Sequence, residues 1–425
     1  MIAWLLISFF VLLFLGVPIA MSLGLSAMGG ILFLGGGSTV TIAQRMFEGM
    51  NSFALLAIPL YTFAGFTMSK GGISKRLMDF CYSIVGHIYG GLAHVNVLSS
   101  MIFAGISGSA VADTAGVSGM FMPEMIRKGY SKNFTVAVTA ISSTIGIIIP
   151  PSIPMVVIAG ICGISTGKLF LGGIIPGILC GLAQMIVSYF LAKKESVPKE
   201  PGHFTIGPVL HGLWESWPAL LMPIIIVGTI TMGIVSPTEA GVIAVVYGLF
   251  AGGIIYRELK WEDIKFAFAE TVRTSGRIFI VIGAAKLYTV MLTTAGFDKW
   301  VAKTMLGFST NPTVILIVIL LIFFIVTMFM ESIATLTLFM PILYPIALGV
   351  GINPIVLSVL ITVVIGVGLV TPPVGMCIYV ACDLMDVTVG EVFPTLVPFI
   401  AATFVCIALM VAFPQLILLP TYLMA

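Results

Sequence analysis

Ile149-Pro150-Pro151-Ser152 and Thr371-Pro372-Pro373-Val374 are the two stretches on which the fold turns. Each interrupts a long apolar run at its middle, where a membrane helix should continue unbroken. The two lie 222 residues apart, and so do Pro123 and Pro345, Pro176 and Pro398, and Gly129 and Gly351. Four of the five prolines between 123 and 176 are matched in this way, where random placement at about 5% proline would match fewer than one. The chain therefore contains two related units. Paired, interrupted hydrophobic segments in the two halves of a membrane protein point to a transporter's binding site.

Composition places the chain in a bilayer. Of 425 residues, 59% are hydrophobic and 8% charged, with a mean hydropathy of +1.19. Many uncharged runs reach the roughly 18 residues that cross a hydrocarbon core. Ten spanning segments are expected, near 2–15, 19–36, 52–69, 132–165, 169–192, 217–235, 238–255, 274–295, 353–385 and 392–419. The stretch from Ile2 to Leu15 lacks a basic start and runs through Gly16-Val17-Pro18 into the next span, so it reads as a retained helix rather than a signal peptide. Cys81, Cys162, Cys180, Cys377, Cys382 and Cys406 fit no metal or redox spacing and read as packing residues.

Two apolar stretches, 92–128 and 311–350, are too long for one span and polar at their centres. The first carries Gly105-Ile106-Ser107-Gly108-Ser109 and Asp113; the second carries Glu331, Ser332, Thr335 and Thr337. A helical hairpin that turns inside the membrane accounts for both, because non-helical backbone at that depth needs cover from protein or a wet cavity. With the N-terminus outside, thirteen Lys and Arg fall on cytoplasmic loops, Lys132 and Lys199 among them. Only Arg45, Lys168, Lys299 and Lys303 then lie outside. That asymmetry sets the orientation and makes the two units inverted copies. Residues 41–51 and 257–273 read as interfacial helices, and Lys193 to His211, with Pro198, Pro201 and Pro208, as a linker.

The expected class is thus an all-α polytopic membrane protein with an inverted repeat, two re-entrant hairpins and two Pro-Pro-broken helices. Proline removes an N–H and blocks the preceding turn, freeing carbonyls near Gly146 and Ile147. Freed carbonyls and hydroxyls suit a hard cation such as Na⁺. Ser107, Gly108, Ser109, Ser143, Gly146 and Pro150 form the first candidate site, with Ser142 and Thr144 beside them. Ser332, Thr335, Gly366, Gly368 and Thr371 form the second. The substrate cavity between the tips draws on Asp113, Ser109, Glu331, Thr337, Pro151 and Pro373. Asp113 has two readings, as a cation-site carboxylate or as the N-cap of the second hairpin arm. Glu331 is alternatively a proton carrier, making H⁺ the coupling ion. Lys286 faces substrate, snorkels to the interface, or pairs with an acid. His87, His94, His203 and His211 carry no assigned role. No phosphate-binding loop of the G-x-x-x-x-G-K-[ST] type is present, and no nucleophile, base and orienter cluster marks an enzyme.

Gly16-Val17-Pro18-Ile19-Ala20, the run from Gly105 to Asp113, Ile149-Pro150-Pro151-Ser152 and Thr371-Pro372-Pro373-Val374-Gly375 resemble the large membrane subunit of the tripartite ATP-independent periplasmic (TRAP) transporters over essentially the whole chain. The resemblance implies an elevator-type, Na⁺-driven importer in the bacterial inner membrane, with both termini periplasmic. It implies a small four-helix membrane subunit on a separate polypeptide, a periplasmic substrate-binding protein, and a carboxylated solute such as sialic acid or a C4-dicarboxylate. It involves the lipid bilayer and no nucleic acid. In domain terms it implies scaffold in 1–51 and 193–273, and transport domain in 52–192 (hairpin 92–128, broken helix 132–165) and 274–425 (hairpin 311–350, broken helix 353–385). The competing classes are an ion channel, whose pores also use re-entrant Gly and Ser loops, and an anion carrier that works without a binding protein or with protons.

Overall fold

A hydrocarbon layer offers no hydrogen-bond partners, so a chain this apolar must satisfy its backbone inside helices. The computed structural model describes residues 1–34, 39–197 and 205–424, with no strand among them. Pro198, Lys199, Pro201, His203 and the end of the 19–36 span lie outside the described residues.

The first unit runs α1 (Ile2–Phe14), α2 (Ile19–Leu34), α3 (Thr39–Met50), α4 (Ala57–Lys70) and α5 (Ile73–Val85). The hairpin arms α6 (Gly91–Ser107) and α7 (Ala110–Arg127) follow, then α8 (Lys132–Ser143), α9 (Ile153–Cys162) and α10 (Thr166–Lys194). The second unit runs α11 (Ile206–Thr231), α12 (Pro237–Phe250), α13 (Trp261–Thr294) and α14 (Phe297–Phe308). Its hairpin arms are α15 (Pro312–Thr327) and α16 (Ser332–Gly349), followed by α17 (Pro354–Gly368), α18 (Met376–Met385), α19 (Val389–Ala412) and the short α20 (Gln415–Leu418).

The 222-residue offset of the prolines extends to the helices. Shifted by it, the starts of α3, α7, α8 and α9 fall on or within one residue of those of α13, α16, α17 and α18. The units differ at one joint. Asn51, Ser52 and a 3₁₀ turn over Phe53–Leu56 separate α3 from α4, whereas their counterpart α13 is one helix of 34 residues. At 1.5 Å per residue it is about 51 Å long, well beyond the hydrocarbon thickness. The expected interfacial helix 257–273 and span 274–295 are therefore continuous. Two helices were not foreseen: α5, inside a stretch read as loop, and α14, between a span and a hairpin.

Seven helices among the described residues are long and apolar enough to cross a membrane, α10, α13 and α19 among them. At both expected breaks the helix ends before a Pro-Pro pair, and each pair carries a cis peptide bond. Both expected hairpins are helix-turn-helix units whose arms pack on each other. Their arms of 16 to 18 residues are as long as short spans.

Packing interlocks the units. The half-helix α9 seats against α16 of the other unit's hairpin, and α18 seats against α7. Around this centre, α4 packs on α12 and α13, α5 on α11, and α2 and α3 on α13. Small residues let α10 come close: a Cβ at Gly172 would stand 3.2 Å from Ile355 and Val359 of α17, and one at Gly173 would stand 2.3 Å from the Ile148 carbonyl. Close helix approach through Gly is the usual device where lipid competes with apolar contacts.

Gly173→Ala should push on the first break and cost about 1–3 kcal/mol, the range for overpacking. Gly276→Ala, where nothing lies within 4 Å, should instead stabilise by about 0.5–1 kcal/mol. Melting of the two purified variants in detergent checks the opposite signs.

Candidate functional site: two hairpin tips against two broken helices

The first tip closes through its own side chains. Ser109 is the N-cap of α7, its Oγ accepting the Ala112 N–H at 3.4 Å. Asp113 is therefore not the cap; it stands in the first turn, fully buried. Ser107 Oγ donates to Asp113 Oδ1, and the Ser109 N–H donates to Ser107 Oγ at 3.2 Å. The other carboxylate oxygen, Oδ2, is buried with no hydrogen-bond partner.

That oxygen points at the first break. A Cβ at Gly146 would sit 2.0 Å from Asp113 Oδ2 and 3.6 Å from the Ser109 carbonyl. Gly108, at φ +65°, brings its backbone against the same break: a Cβ there would stand 2.8 Å from the Pro151 carbonyl. The Ile153 N–H donates to the Gly108 carbonyl at 3.2 Å and ties tip to half-helix. Ser107, Gly108, Ser109, Asp113, Gly146 and Pro151 thus converge, and the Pro150 carbonyl lies 3.7 Å from where a Gly105 Cβ would be. One expected oxygen is taken: Ile147's carbonyl accepts from Ser152 Oγ at 2.6 Å. Ser143 Oγ donates back to the Thr139 carbonyl at 2.7 Å, within its own helix.

The second tip is built differently. Glu331, at the position equivalent to Ser109, caps α16: its Oε2 accepts from Ile333 N–H at 3.0 Å and Ala334 N–H at 3.3 Å. The α7 cap considered for Asp113 is held by Ser109, and it is at the second tip that a carboxylate, Glu331, serves as a cap. Val374 N–H donates to the Met328 carbonyl at 3.0 Å, joining this tip to the second break. Gly368 packs on Thr327, where a Cβ would stand 2.7 Å from the threonine Cβ. Thr335, Thr337 and Thr371 each donate back to the carbonyl four residues earlier, and Ser332 is buried. Gly366 faces elsewhere: its open side meets Thr144 of the first broken helix, at 3.3 Å from a built Cβ. It marks the crossing of the two broken helices rather than a second tip contact.

Exposure separates the two breaks. Pro150, Pro151 and Ser152 are buried, whereas Pro373 and Val374 are exposed. A cleft of about 440 Å³ opens nearby, lined by Tyr379, Cys382, Asp383, Thr388 and their neighbours. Lys286 belongs to neither tip. It is exposed where α3 crosses α13, and a Cβ at Gly49 would stand 2.6 Å from the Lys286 Cβ.

A polar network beside the first site was only partly legible. Asn96 Nδ2 donates to Thr139 Oγ1 at 2.7 Å, Ser142 Oγ to Asn96 Oδ1 at 3.2 Å, and Ser100 Oγ to Ser142 Oγ at 3.0 Å. The signal was Asn96 itself, an amide inside an apolar hairpin arm, where polar side chains bridge helices.

A buried carboxylate oxygen without a donor is costly. A cation held by Asp113 Oδ2 and nearby carbonyl oxygens would remove that cost, so the residues of the first tip fit a hard cation. The second set offers oxygens without a free carboxylate.

The architecture is that of membrane transporters. The YdaH transporter of Alcanivorax borkumensis matches with a TM-score of 0.60 at 13% identity, over 89% of this chain and 88% of that one. MtrF of Neisseria gonorrhoeae matches with 0.59 at 14%, over 88% and 84%. At these identities the likeness concerns the fold. Sequence then settles the family: this chain belongs to the tripartite ATP-independent periplasmic transporter, DctM component, family, whose profile matches residues 6–416. It is 34% identical to the sialic acid TRAP transporter large permease protein SiaM of Vibrio cholerae, over 96% of this chain and 95% of that one. It is 35% identical to the C4-dicarboxylate large permease DctM of Pseudomonas aeruginosa, over 95% and 94%. The isethionate permease DctMQ of Oleidesulfovibrio alaskensis is 36% identical over 92% of this chain, which spans 62% of that longer protein. Members of this family are transporters, not enzymes, and the chain is a multi-pass membrane component of such a system.

Gly146→Ala should weaken uptake about tenfold or more, because the added methyl enters the space of the Asp113 carboxylate and overpacking costs about 1–3 kcal/mol. Lys286→Met should leave solute KM within about twofold, as expected of a cation outside the tips that snorkels. Radiolabelled uptake in cells, normalised to immunoblotted expression, measures both.

Proposed function

We propose that this chain is the large subunit of a Na⁺-coupled importer of a small organic acid, working by an elevator motion. The observation that carries the reading is the buried, unpartnered Asp113 oxygen aimed at Gly146, where one hairpin tip meets one helix break. The second tip and break supply the second candidate site, with Ser332, Thr335, Gly368 and Thr371 around it. Glu331 spends its carboxylate on the α16 cap, which favours Na⁺ over a proton carried at that position.

When bound, the cation supplies positive charge beside Asp113 in a low-dielectric site. Asp113 and the tip carbonyls hold it, and Ser107 orients the carboxylate by donating to its other oxygen. The N-termini of α7 and α16 stand at the two tips, and a helix N-terminus attracts a solute's anionic group. Solute binding then follows cation binding, because Asp113 repels an anion until neutralised.

The moving body comprises both hairpins, the broken helices α8–α9 and α17–α18, and the closing helices α10 and α19. The interlocked seating of α9 on α16 and α18 on α7 supports treating them as one body. The scaffold comprises α1–α3 and α11–α13. Since α4 packs on α12 and α13, we group it with the scaffold along with the whole of α13, in place of the divisions at residues 52 and 274 that the resemblance implies. Arms α5 and α14 connect the two bodies. Both termini lie on the periplasmic side, and the second unit is the first in opposite orientation.

Family membership supports two partners, a small membrane subunit and a periplasmic binding protein that delivers solute. The names of the relatives cover sialic acid and C4-dicarboxylates, along with 2,3-diketo-L-gulonate and isethionate. Isethionate is a sulfonate, so the common chemistry is a small acid with one fixed negative charge or more, not carboxylate alone.

Co-reconstitution with its two partners tests the reading. Uptake should require an inward Na⁺ gradient and collapse when Na⁺ is replaced by K⁺; uptake indifferent to that exchange would remove Na⁺ coupling. Ser107→Ala with Ser109→Ala should raise the half-saturating Na⁺ concentration about two- to tenfold, the weight of one or two neutral hydrogen bonds. An unchanged Na⁺ titration would take the first tip out of the site.

A further inference from the structure

The two breaks handle one carbonyl in opposite ways. The Pro151 carbonyl faces Gly108 inside a buried tip, 2.8 Å from where a side chain would begin. The equivalent Pro373 carbonyl is exposed and accepts the phenol O–H of Tyr379 at 3.2 Å. The residue equivalent to Tyr379 in the first unit is Val157, which is buried and has no donor. At the first break a buried hydroxyl, that of Ser152, takes the Ile147 carbonyl instead, so the Pro-Pro carbonyl itself meets a side-chain hydroxyl at the second break and not at the equivalent position of the first.

Tyr379 also lies on a route. It is 49% exposed and lines the cleft of about 440 Å³ with Asp383, Thr388 and Cys382. Asp383 follows one turn later on α18, and residues four apart share a helix face. Asp383 and Asp386 are both exposed at this end of the helix, where the helix dipole also carries partial negative charge. The cleft lies at the end of α18 where the Lys132 Nζ donates to the Met385 carbonyl at 3.1 Å. Its chemistry is thus acidic and hydroxylic. It suits a departing monovalent cation, and it repels an acid anion.

We infer that Tyr379 is a positioning residue for cation release at the second break: its hydroxyl takes the Pro373 carbonyl away from the ion, and the Tyr379–Asp383 face of α18 leads the ion into the cleft. This rests on the cation-coupled reading above. In the loaded state the Pro373 carbonyl turns to the cation and the phenol is free. In the conformation described here the phenol holds that oxygen. The hydrogen bond therefore weighs against cation binding and sets how readily the ion leaves.

The test is Na⁺ protection of the purified protein against thermal unfolding, with K⁺ at equal ionic strength as the reference. Tyr379→Phe keeps the ring and removes only the O–H. Its midpoint for Na⁺ protection should fall about two- to tenfold, the span of one neutral hydrogen bond, while melting in K⁺ alone drops by no more than the same bond is worth. In reconstituted vesicles the same variant should lower the half-saturating Na⁺ concentration without an equal change in solute KM. If the K⁺ baseline drops by more than that one hydrogen bond is worth, Tyr379→Met, which fills the space without a hydroxyl, replaces it in the same titration. A Na⁺ midpoint equal to the parent's, with protection intact, overturns the role of Tyr379 and leaves the coupled importer standing. No Na⁺ protection in the parent overturns both.

Discussion

Backbone groups stripped of partners inside an apolar layer are the constraint from which the rest of this structure follows. Each proline pair ends a helix and frees main-chain groups, and a bilayer tolerates that only under cover. The cover is the opposing hairpin tip. Ile153 N–H finds the Gly108 carbonyl, and Val374 N–H finds that of Met328. Ser152 caps the Ile147 carbonyl. Tip and break are therefore a single construction, and moving one without the other would leave main-chain groups bare.

The same bookkeeping explains why the two centres are unlike. The first spends a serine on its cap and keeps a carboxylate in the interior, half satisfied by Ser107. The second spends its carboxylate on the cap. The frame thus carries two chemistries, one whose carboxylate keeps an oxygen without a donor inside and one whose carboxylate already accepts from two helix N–H groups.

Most of the frame was readable because proline and glycine act locally. A Pro-Pro pair ends a helix in any context, so both breaks, both hairpins and the offset between units stood in the sequence. What was missed depended on neighbours. Nothing in Trp261–Thr294 alone says whether the chain bends where polarity changes at about residue 273; helix continuity was decided by packing against α2, α3 and α4. The amphipathic α5 was hidden by its Lys75, Arg76 and Asp79, which resemble a loop until Leu77 and Phe80 are seen buried. At the sites, residue types at the tips were informative, since Ser107 and Asp113 stand out in an apolar run. Direction was not. Which way Gly366 faces, or which of Asp113 and Glu331 caps a helix, depends on a rotation of tens of degrees that composition does not encode.

The exchange of half-helices between the units bears on how the chain is made. When α7 leaves the ribosome, the surface on which it finally rests, α18, is still some 250 residues from synthesis. The amino-terminal unit shelters its polar turn with its own break, so what waits in the lipid is the face of α7 that α18 finally covers. Maturation then ends on a late event, in which arrival of the carboxy-terminal unit seats α18 on α7 and α16 on α9.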